Sequence, residues 1–384
     1  MGNWIRVKIS DIGEVVGGAT PSTKNEQFYN GDISWITPKD LSDFKGRFIS
    51  RGERNITQQG LESCSTRLLP KNTILFSSRA PIGYVAIAKK NMCTNQGFKS
   101  VIPNEKIDYM FLYYLLKYNK DRIEAMGSGT TFKEVSGSTM RNIEVEIPRS
   151  ITEQKKIANI LDAIDSKIEN NQKINSNLEQ QAQAIFKSWF VDYEPFGGVM
   201  PSDWQKSTLG EISDMSAGGD KPDIASDIET ENCRVPIYSN GITDEGLYGY
   251  TDKARIFDES VTVSARGTIG YVCLRQVPYV PIVRLVSLTP KKELVSAKYL
   301  YLFLKQLHIA GTGTTQQQLT VPNFKGTEIL VPTSEIMSKF TDIVTPFYDK
   351  ILDNKVEIKK LCSLRDTLLP KLMSGEIDLS NIDI

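Results

Sequence analysis

EQKKIANILDAIDSKIENNQKINSNLEQQAQAIFKSW, running from Glu153 to Trp189, is the stretch around which the rest of the chain is organised. Ile157, Ile160, Leu161, Ile164, Ile168, Asn171, Ile174, Leu178, Ala182, Ile185 and Trp189 recur at steps of three and four, which places them on one helical face. The other positions are mostly Glu, Gln, Asn, Lys, Asp and Ser, with no Gly or Pro among them. The spacing therefore predicts one long helix of roughly 55 Å. Its narrow apolar stripe needs a partner, and Ile351, Asn354, Ile358, Leu361, Leu368 and Leu372 repeat the same heptad-like steps. Asn171 follows Ile168 by three residues and Asn354 follows Ile351 by three, so each seam carries a polar residue of the kind that costs stability and fixes register. One amphipathic helix alone would pack on its own domain; a matched pair predicts an intramolecular coiled coil, antiparallel in sense.

At 384 residues the chain exceeds what one core usually supports, so two or more domains are expected. No apolar run approaches a membrane span, and Met1 to Arg6 lacks a signal-peptide pattern, which makes the cytoplasm the expected location. Cys64, Cys93, Cys233, Cys273 and Cys362 contain no Cys-x-x-Cys and are read as reduced, mostly buried thiols. The 46 basic and 46 acidic residues cancel, which argues against gripping nucleic acid by bulk charge. Residues 1–150 hold 21 Lys and Arg against 15 Asp and Glu, a balance of +6, whereas 200–332 hold 13 against 15, a balance of −2. Any DNA contact must be local or shared with a more basic partner.

The chain also repeats itself. Trp4, Ile9, Ile12 and Gly17-Gly18 are matched by Trp204, Leu209, Ile212 and Gly218-Gly219. Arg79-x-x-Ile82-Gly83-Tyr84-Val85 returns as Arg266-x-x-Ile269-Gly270-Tyr271-Val272, each after a β-branched run that reads as a strand. Phe111–Lys117 and Tyr299–Lys305 suit buried helices of about two turns. Gly127-Ser128-Gly129-Thr130-Thr131 matches Gly311-Thr312-Gly313-Thr314-Thr315, and both copies close on Ile147-Pro148 or Val331-Pro332. The reading is a mixed α/β (α+β) globule used twice, each copy followed by a long helix: 1–150, 151–197, 198–332 and 333–384. Pseudo-twofold symmetry within one chain follows, and a helical spacer of roughly 38 Å is close to the ~34–36 Å between half-sites one DNA turn apart. Pro346 predicts a short helix, a kink and then the second long helix.

The runs Glu153-Gln154-Lys155-Lys156-Ile157, Ala184-Ile185-Phe186-Lys187-Ser188-Trp189-Phe190-Val191-Asp192-Tyr193-Glu194-Pro195-Phe196 and Leu368-Leu369-Pro370-Lys371-Leu372-Met373-Ser374-Gly375-Glu376-Ile377 resemble the specificity (S) subunit of type I restriction-modification systems, over essentially the whole chain. The resemblance implies two target recognition domains, 1–150 and 198–332, and two conserved helical regions. It implies a non-catalytic subunit that reads a bipartite, asymmetric site in double-stranded DNA. Two modification (methyltransferase) subunits and the restriction (translocase and endonuclease) subunits would be its partners. S-adenosylmethionine, ATP and magnesium would belong to those partners, with no cofactor, metal or membrane contact expected for this chain. The second helical region departs from the pattern, reading Glu335-Ile336-Met337-Ser338-Lys339 where the first opens on Glu-Gln-Lys-Lys.

The residues themselves point the same way. No Walker loop and no Asn-Pro-Pro-aromatic motif occurs. Glu153-Gln154-Lys155 and Glu357-Ile358-Lys359 match half of a nuclease motif but fall on helices where such residues are ordinary surface. The single histidine, His308, has no catalytic companions and is expected to end a helix.

Arg79 and Arg266 admit three roles: a phosphate contact, a structural bond to the turn, or a guanine contact. Thr131 and Thr315, in the Gly-x-Gly-Thr-Thr loops, either hold a phosphate or shape a turn. Sequence reading is expected where the copies differ, at Lys133 against Gln316 and Gln317, since Lys suits guanine and Gln suits adenine. Lys24, Lys39, Arg47, Arg51 and Arg54 form a basic stretch in the first copy, and Lys221, Tyr238, Ser239 and Asn240 are the polar candidates in the second; ordinary solvated side chains are the alternative for each. Phe186, Trp189, Phe190 and Tyr193, with Leu368 and Leu372, are the expected docking surface for partner subunits. A free-standing nuclease or methyltransferase, or a scaffold without a DNA role, are the rival readings.

Overall fold

The computed structural model describes residues 4–129, 133–309, 318–377 and 379. It divides into two compact units, Met1–Gln172 with Val356–Ile384, and Lys173–Lys355. The first contains β1 (Trp4–Lys8), β2 (Gly13–Gly17), β3 (Ile74–Ser78), β4 (Ile82–Ala88), β5 (Lys99–Pro103), α1 (Tyr109–Tyr118), β6 (Glu144–Pro148) and the start of α2 (Ile151–Phe190). The second repeats the order with β7 (Gln205–Thr208), β8 (Ser213–Ala217), β9 (Ser260–Val263), β10 (Val272–Arg275), β11 (Val286–Pro290), α3 (Ala297–Gln306), β12 (Glu328–Val331) and the start of α4 (Ser334–Met373). Among the described residues no helix is long and apolar enough to cross a membrane.

In each copy the first strand pairs antiparallel with the last: Trp4 faces Pro148 and Gln205 faces Val331. Four strands of each main sheet share one order, β2-β5-β3-β4 and β8-β11-β9-β10, and the first sheet adds Phe48–Ile49 parallel to β4. Their inner strands, β3 and β9, are buried at every position, the serines included, so neither alternates between a buried and an exposed face. The helix behind each sheet starts on a side-chain cap. Asp108 accepts from the Met110 and Phe111 amides at 3.0 Å, and Ser296 accepts from Tyr299 at 3.2 Å, supplying partners for amides that a helix start leaves open. Phe111 to Leu116 and Tyr299 to Leu302 are buried, each large apolar side chain contributing about 1.5–3 kcal/mol.

A smaller sheet also recurs. Tyr29–Ile36 runs antiparallel to Asn55–Ile56 and parallel to Cys93–Thr94; Val235–Tyr238 runs antiparallel to Leu247–Thr251 and parallel to Val280–Pro281. The chain enters this region through a close approach. A Cβ on Gly18 would collide with the Thr94 carbonyl oxygen, and one on Gly218 would stand 2.7 Å from the Ile282 nitrogen, so only glycine fits; strand register thus aligns Gly18 with Gly218 and Gly17 with Ala217, one residue away from the match made on sequence.

Within each unit the two long helices pack antiparallel. In the first, Asp165 meets Arg365 at 2.9 Å, and Asn171 Nδ2 donates to Glu357 at 2.7 Å. In the second, Asn354 Nδ2 donates to Asn175 at 2.7 Å, and the rings of Phe186 and Phe340 lie 6.1 Å apart. Asn171 and Asn354 are both 1% exposed, so both polar residues do sit inside a seam, each hydrogen-bonded to the facing helix. The kink expected at Pro346 does not break the second helix, which is continuous from Ser334 to Met373. Proline leaves the Asp342 carbonyl without its intrahelical donor. Phe340, Val344 and Tyr348 are buried on either side, and that packing carries the helix across the lost bond. Cys93, Cys233 and Cys273 are buried free thiols, while Cys64 and Cys362 are partly exposed.

Candidate nucleic-acid interface

The turn between β3 and β4 and its counterpart between β9 and β10 are built alike. Ser77 Oγ donates to the Pro81 carbonyl and accepts from the Tyr84 amide, both at 2.8 Å. Ser264 Oγ donates to the Thr268 carbonyl and accepts from the Tyr271 amide at 3.1 Å. Ala80 (φ 49°) and Gly267 (φ 69°) occupy the same left-handed position, as do Gly83 (φ 98°) and Gly270 (φ 84°). The turn is then tied to the segment that follows the glycine-rich loop: the Val135 amide donates to Ser78 at 2.9 Å, and the Leu319 amide to Ala265 at 3.1 Å.

This scaffold puts the two repeated arginines against equivalent residues. Arg79 lies 3.6 Å from the Glu134 carboxylate. Arg266 Nη2 donates to Gln318 Oε1 at 3.1 Å. Glu134 has a closer cation in Lys99, 3.0 Å away from β5; at the matching position of β11 stands Val286, since Gly17 pairs with Lys99 as Ala217 pairs with Val286. Sequence reasoning passed over Lys99, because only the sheet register brings it beneath the turn. Lys133, exposed, adjoins Glu134.

Of Lys39, Arg51 and Arg54, Lys39 meets a second acidic point. Lys39 pairs with Glu53 at 2.7 Å, and the Glu53 amide donates to Asp40 at 2.7 Å. That hydrogen bond to Glu53 holds the Lys39 ammonium above its ordinary range. Arg54 stacks 4.0 Å above the Tyr29 ring, Arg51 is exposed, and Lys24 is exposed in a turn. In the second unit Lys221 lies 5.1 Å from the Tyr248 ring centre. Thr131, Thr315, Gln316 and Gln317 lie outside the described residues.

Several expectations are corrected. Arg47 is not a surface cation: it is 5% exposed and bonds to Asp162, Ser166 and Glu169 of α2, with 2.9 Å contacts to the last two. It anchors the first globule to its helix. The Asn240 amide is used internally, donating to the Val283 carbonyl at 2.6 Å and accepting from the Ala265 amide at 2.7 Å, so it braces the Arg266 turn. Tyr238 carries Arg275 over its ring at 3.6 Å, and burial raises its hydroxyl above the ordinary range.

Two rings at the aromatic end of α2 are likewise internal, while Trp189 and Tyr193 are half-buried. Phe186 and Phe190 are buried, and Phe190 packs 4.9 Å from both Tyr299 and Phe340. Trp189 packs on Phe340, and Tyr193 on Trp204. Leu372 is buried in the first unit's core with Leu368 packed against it. These side chains hold this chain together and leave no ring face of Phe186 or Phe190 for a partner.

Gln154, inside the Glu-x-Lys match, is fully buried and bonds to Asp108, Lys106 and Pro148. Among the described residues no group of three or more His, Cys, Asp or Glu converges as a metal site. Only sequence distance hid the buried Tyr114–Asp165–Arg365 chain, in which both contacts to Asp165 are 2.9 Å.

A family model described as the type I restriction modification DNA specificity domain matches residues 1–180 and 201–361. The MjaIX type I restriction enzyme specificity subunit of Methanocaldococcus jannaschii is 36% identical over 99% of this chain and 95% of its own length. The HindI specificity subunit of Haemophilus influenzae is 26% identical over 81% of this chain and 88% of its own. The crystal structure of the S subunit of a Mycoplasma genitalium type I restriction-modification system has the same fold, with a TM-score of 0.67 at 21% identity and 96% coverage of each chain. With both halves of the duplicated fold matched, this chain belongs to the type I restriction-modification DNA specificity family.

Proposed function

We propose that this chain gives a type I restriction-modification complex its choice of DNA sequence, each globule reading one half of a bipartite, asymmetric site. Supporting this is one observation: the same sheet, turn and helix recur in both units while the side chains beside the turn differ, Lys99, Lys133 and Glu134 against Val286 and Gln318. A common scaffold with unlike surfaces suits two half-sites of unlike sequence. In this reading the chain has no catalytic role. Modification subunits using S-adenosylmethionine methylate the DNA, and restriction subunits using ATP and magnesium translocate and cut it. Because the net charge is zero, affinity for a polyanion depends on surfaces those subunits add. The exposed faces of the long helices, not the buried Phe186 and Phe190, are where they would dock, and Val356 and Leu364 are apolar residues available there.

Methylome sequencing of cells expressing this chain with its modification subunits tests the proposal. One methylated motif in two parts separated by a fixed gap is expected; methylation at a single continuous motif, or at none, would overturn it.

A further inference from the structure

The two Arg turns differ in a correlated way. In the first unit the site holds two cations and one carboxylate, Arg79, Lys99 and Glu134; in the second it holds Arg266 with a neutral valine and a neutral amide, Val286 and Gln318. An ion pair has been exchanged for an uncharged pair, and the arginine has stayed. Glu134 is bonded to Lys99 at 3.0 Å with Arg79 farther off at 3.6 Å, so in both sites the guanidinium keeps its positive charge at the same point of the same turn. Both guanidinium groups reach solvent: the Arg79 side chain is 36% exposed and Arg266 is exposed.

The geometry points to Arg79 and Arg266 as matched contacts to the DNA phosphodiester backbone, one per globule, with Glu134 and Gln318 as the positioning residues that aim them. This rests on the DNA-specificity reading and names where that surface grips. A base contact would be expected to change between domains that read different sequences; a phosphate is the same beside every base. An arginine that stays while its neighbours change is what a sequence-independent anion requires. A purely structural arginine would need only its hydrogen bond, and would not need its guanidinium to reach solvent. The scaffold restricts where each arginine can reach, since the turn is stapled on both sides through Ser77 and Ser78, or Ser264 and Ala265.

The experiment is a salt titration of the complex assembled with its modification subunits, by fluorescence anisotropy, on a duplex carrying the methylated motif and on one lacking it. R79Q and R266Q are each expected to reduce the slope of log affinity against log salt by about 0.9 on both duplexes, the value for one phosphate contact. R79K and R266K keep the charge and should retain the wild-type slope, which separates a lost contact from a damaged fold. E134Q leaves Lys99 without its carboxylate and should steepen the slope; adding K99V, which copies the second site into the first, should bring it back. Unchanged slopes in R79Q and R266Q, or a methylated motif altered in one half by either, would overturn the assignment. A wild-type complex that binds both duplexes alike would instead sink the specificity reading, while the arginine slopes would still judge the phosphate contact.

Discussion

Asn171 of the first long helix donates a 2.7 Å hydrogen bond to Glu357 of the second, from a position that is 1% exposed. A polar residue in a helical seam lowers stability and selects one alignment over its neighbours. The substitution N171L is therefore expected to raise the thermal midpoint, because Glu357 retains Lys167 at 3.5 Å and solvent on its outer face. Combined with N354L it should also cost uniqueness, visible as mixed oligomers in light scattering. A marked fall in stability for N171L alone would contradict this account of the seam.

Arg47 joins the first globule to α2 through buried bonds to Asp162, Ser166 and Glu169. Removing one partner of such a cluster strands the other charges, at a cost of about 3 kcal/mol. R47A should show that loss in chemical denaturation, and R47M, which fills the space but lacks the donors, should recover little of it. Full recovery in R47M would mean that packing and not charge holds the joint.

Phe190 meets Tyr299 and Phe340 in the second unit's core. F190A is expected to destabilise the purified chain by about 3–5 kcal/mol with no partner subunit present. A variant of normal stability that fails only to assemble would restore the docking role this ring had in the sequence reading.

Burial pushes the Cys93 thiol up to about 11. At pH 8 only about one molecule in a thousand then carries the reactive thiolate. Cys93 should resist alkylation under native conditions while the partly exposed Cys64 and Cys362 react. The linkage has a definite sign. A thiol raised in the folded state favours folding at pH values below its unfolded value near 8.5, and that contribution is lost as pH rises toward 11. C93A should flatten this alkaline limb; rapid labelling of Cys93 at pH 8 would contradict the assignment.

The helices were legible because their signal is local. Three- and four-residue steps marked the seam from Ile157 to Trp189, and the structure places Asn171 and Asn354 inside it. The repeated motifs around Arg79 and Arg266 likewise fell on equivalent turns. What stayed hidden depends on long-range pairing. Trp35-Ile36 and Ile237-Tyr238 hold the same place in the small sheets yet share no residues, and Lys99 reaches Glu134 only through strand register. Pattern alone also cannot separate a buried aromatic from an exposed one, which is why Phe186 and Phe190 read as a surface in the sequence, and a charge count cannot separate Arg47 in its socket from Arg51 in solvent.

Exchange of residues 1–150 for the corresponding segment of another family member, followed by methylome sequencing, tests most directly whether each globule reads its own half-site. The account predicts a hybrid motif in which one half is new and the other half, with the gap between them, is unchanged. A motif altered in both halves, or in neither, would contradict it.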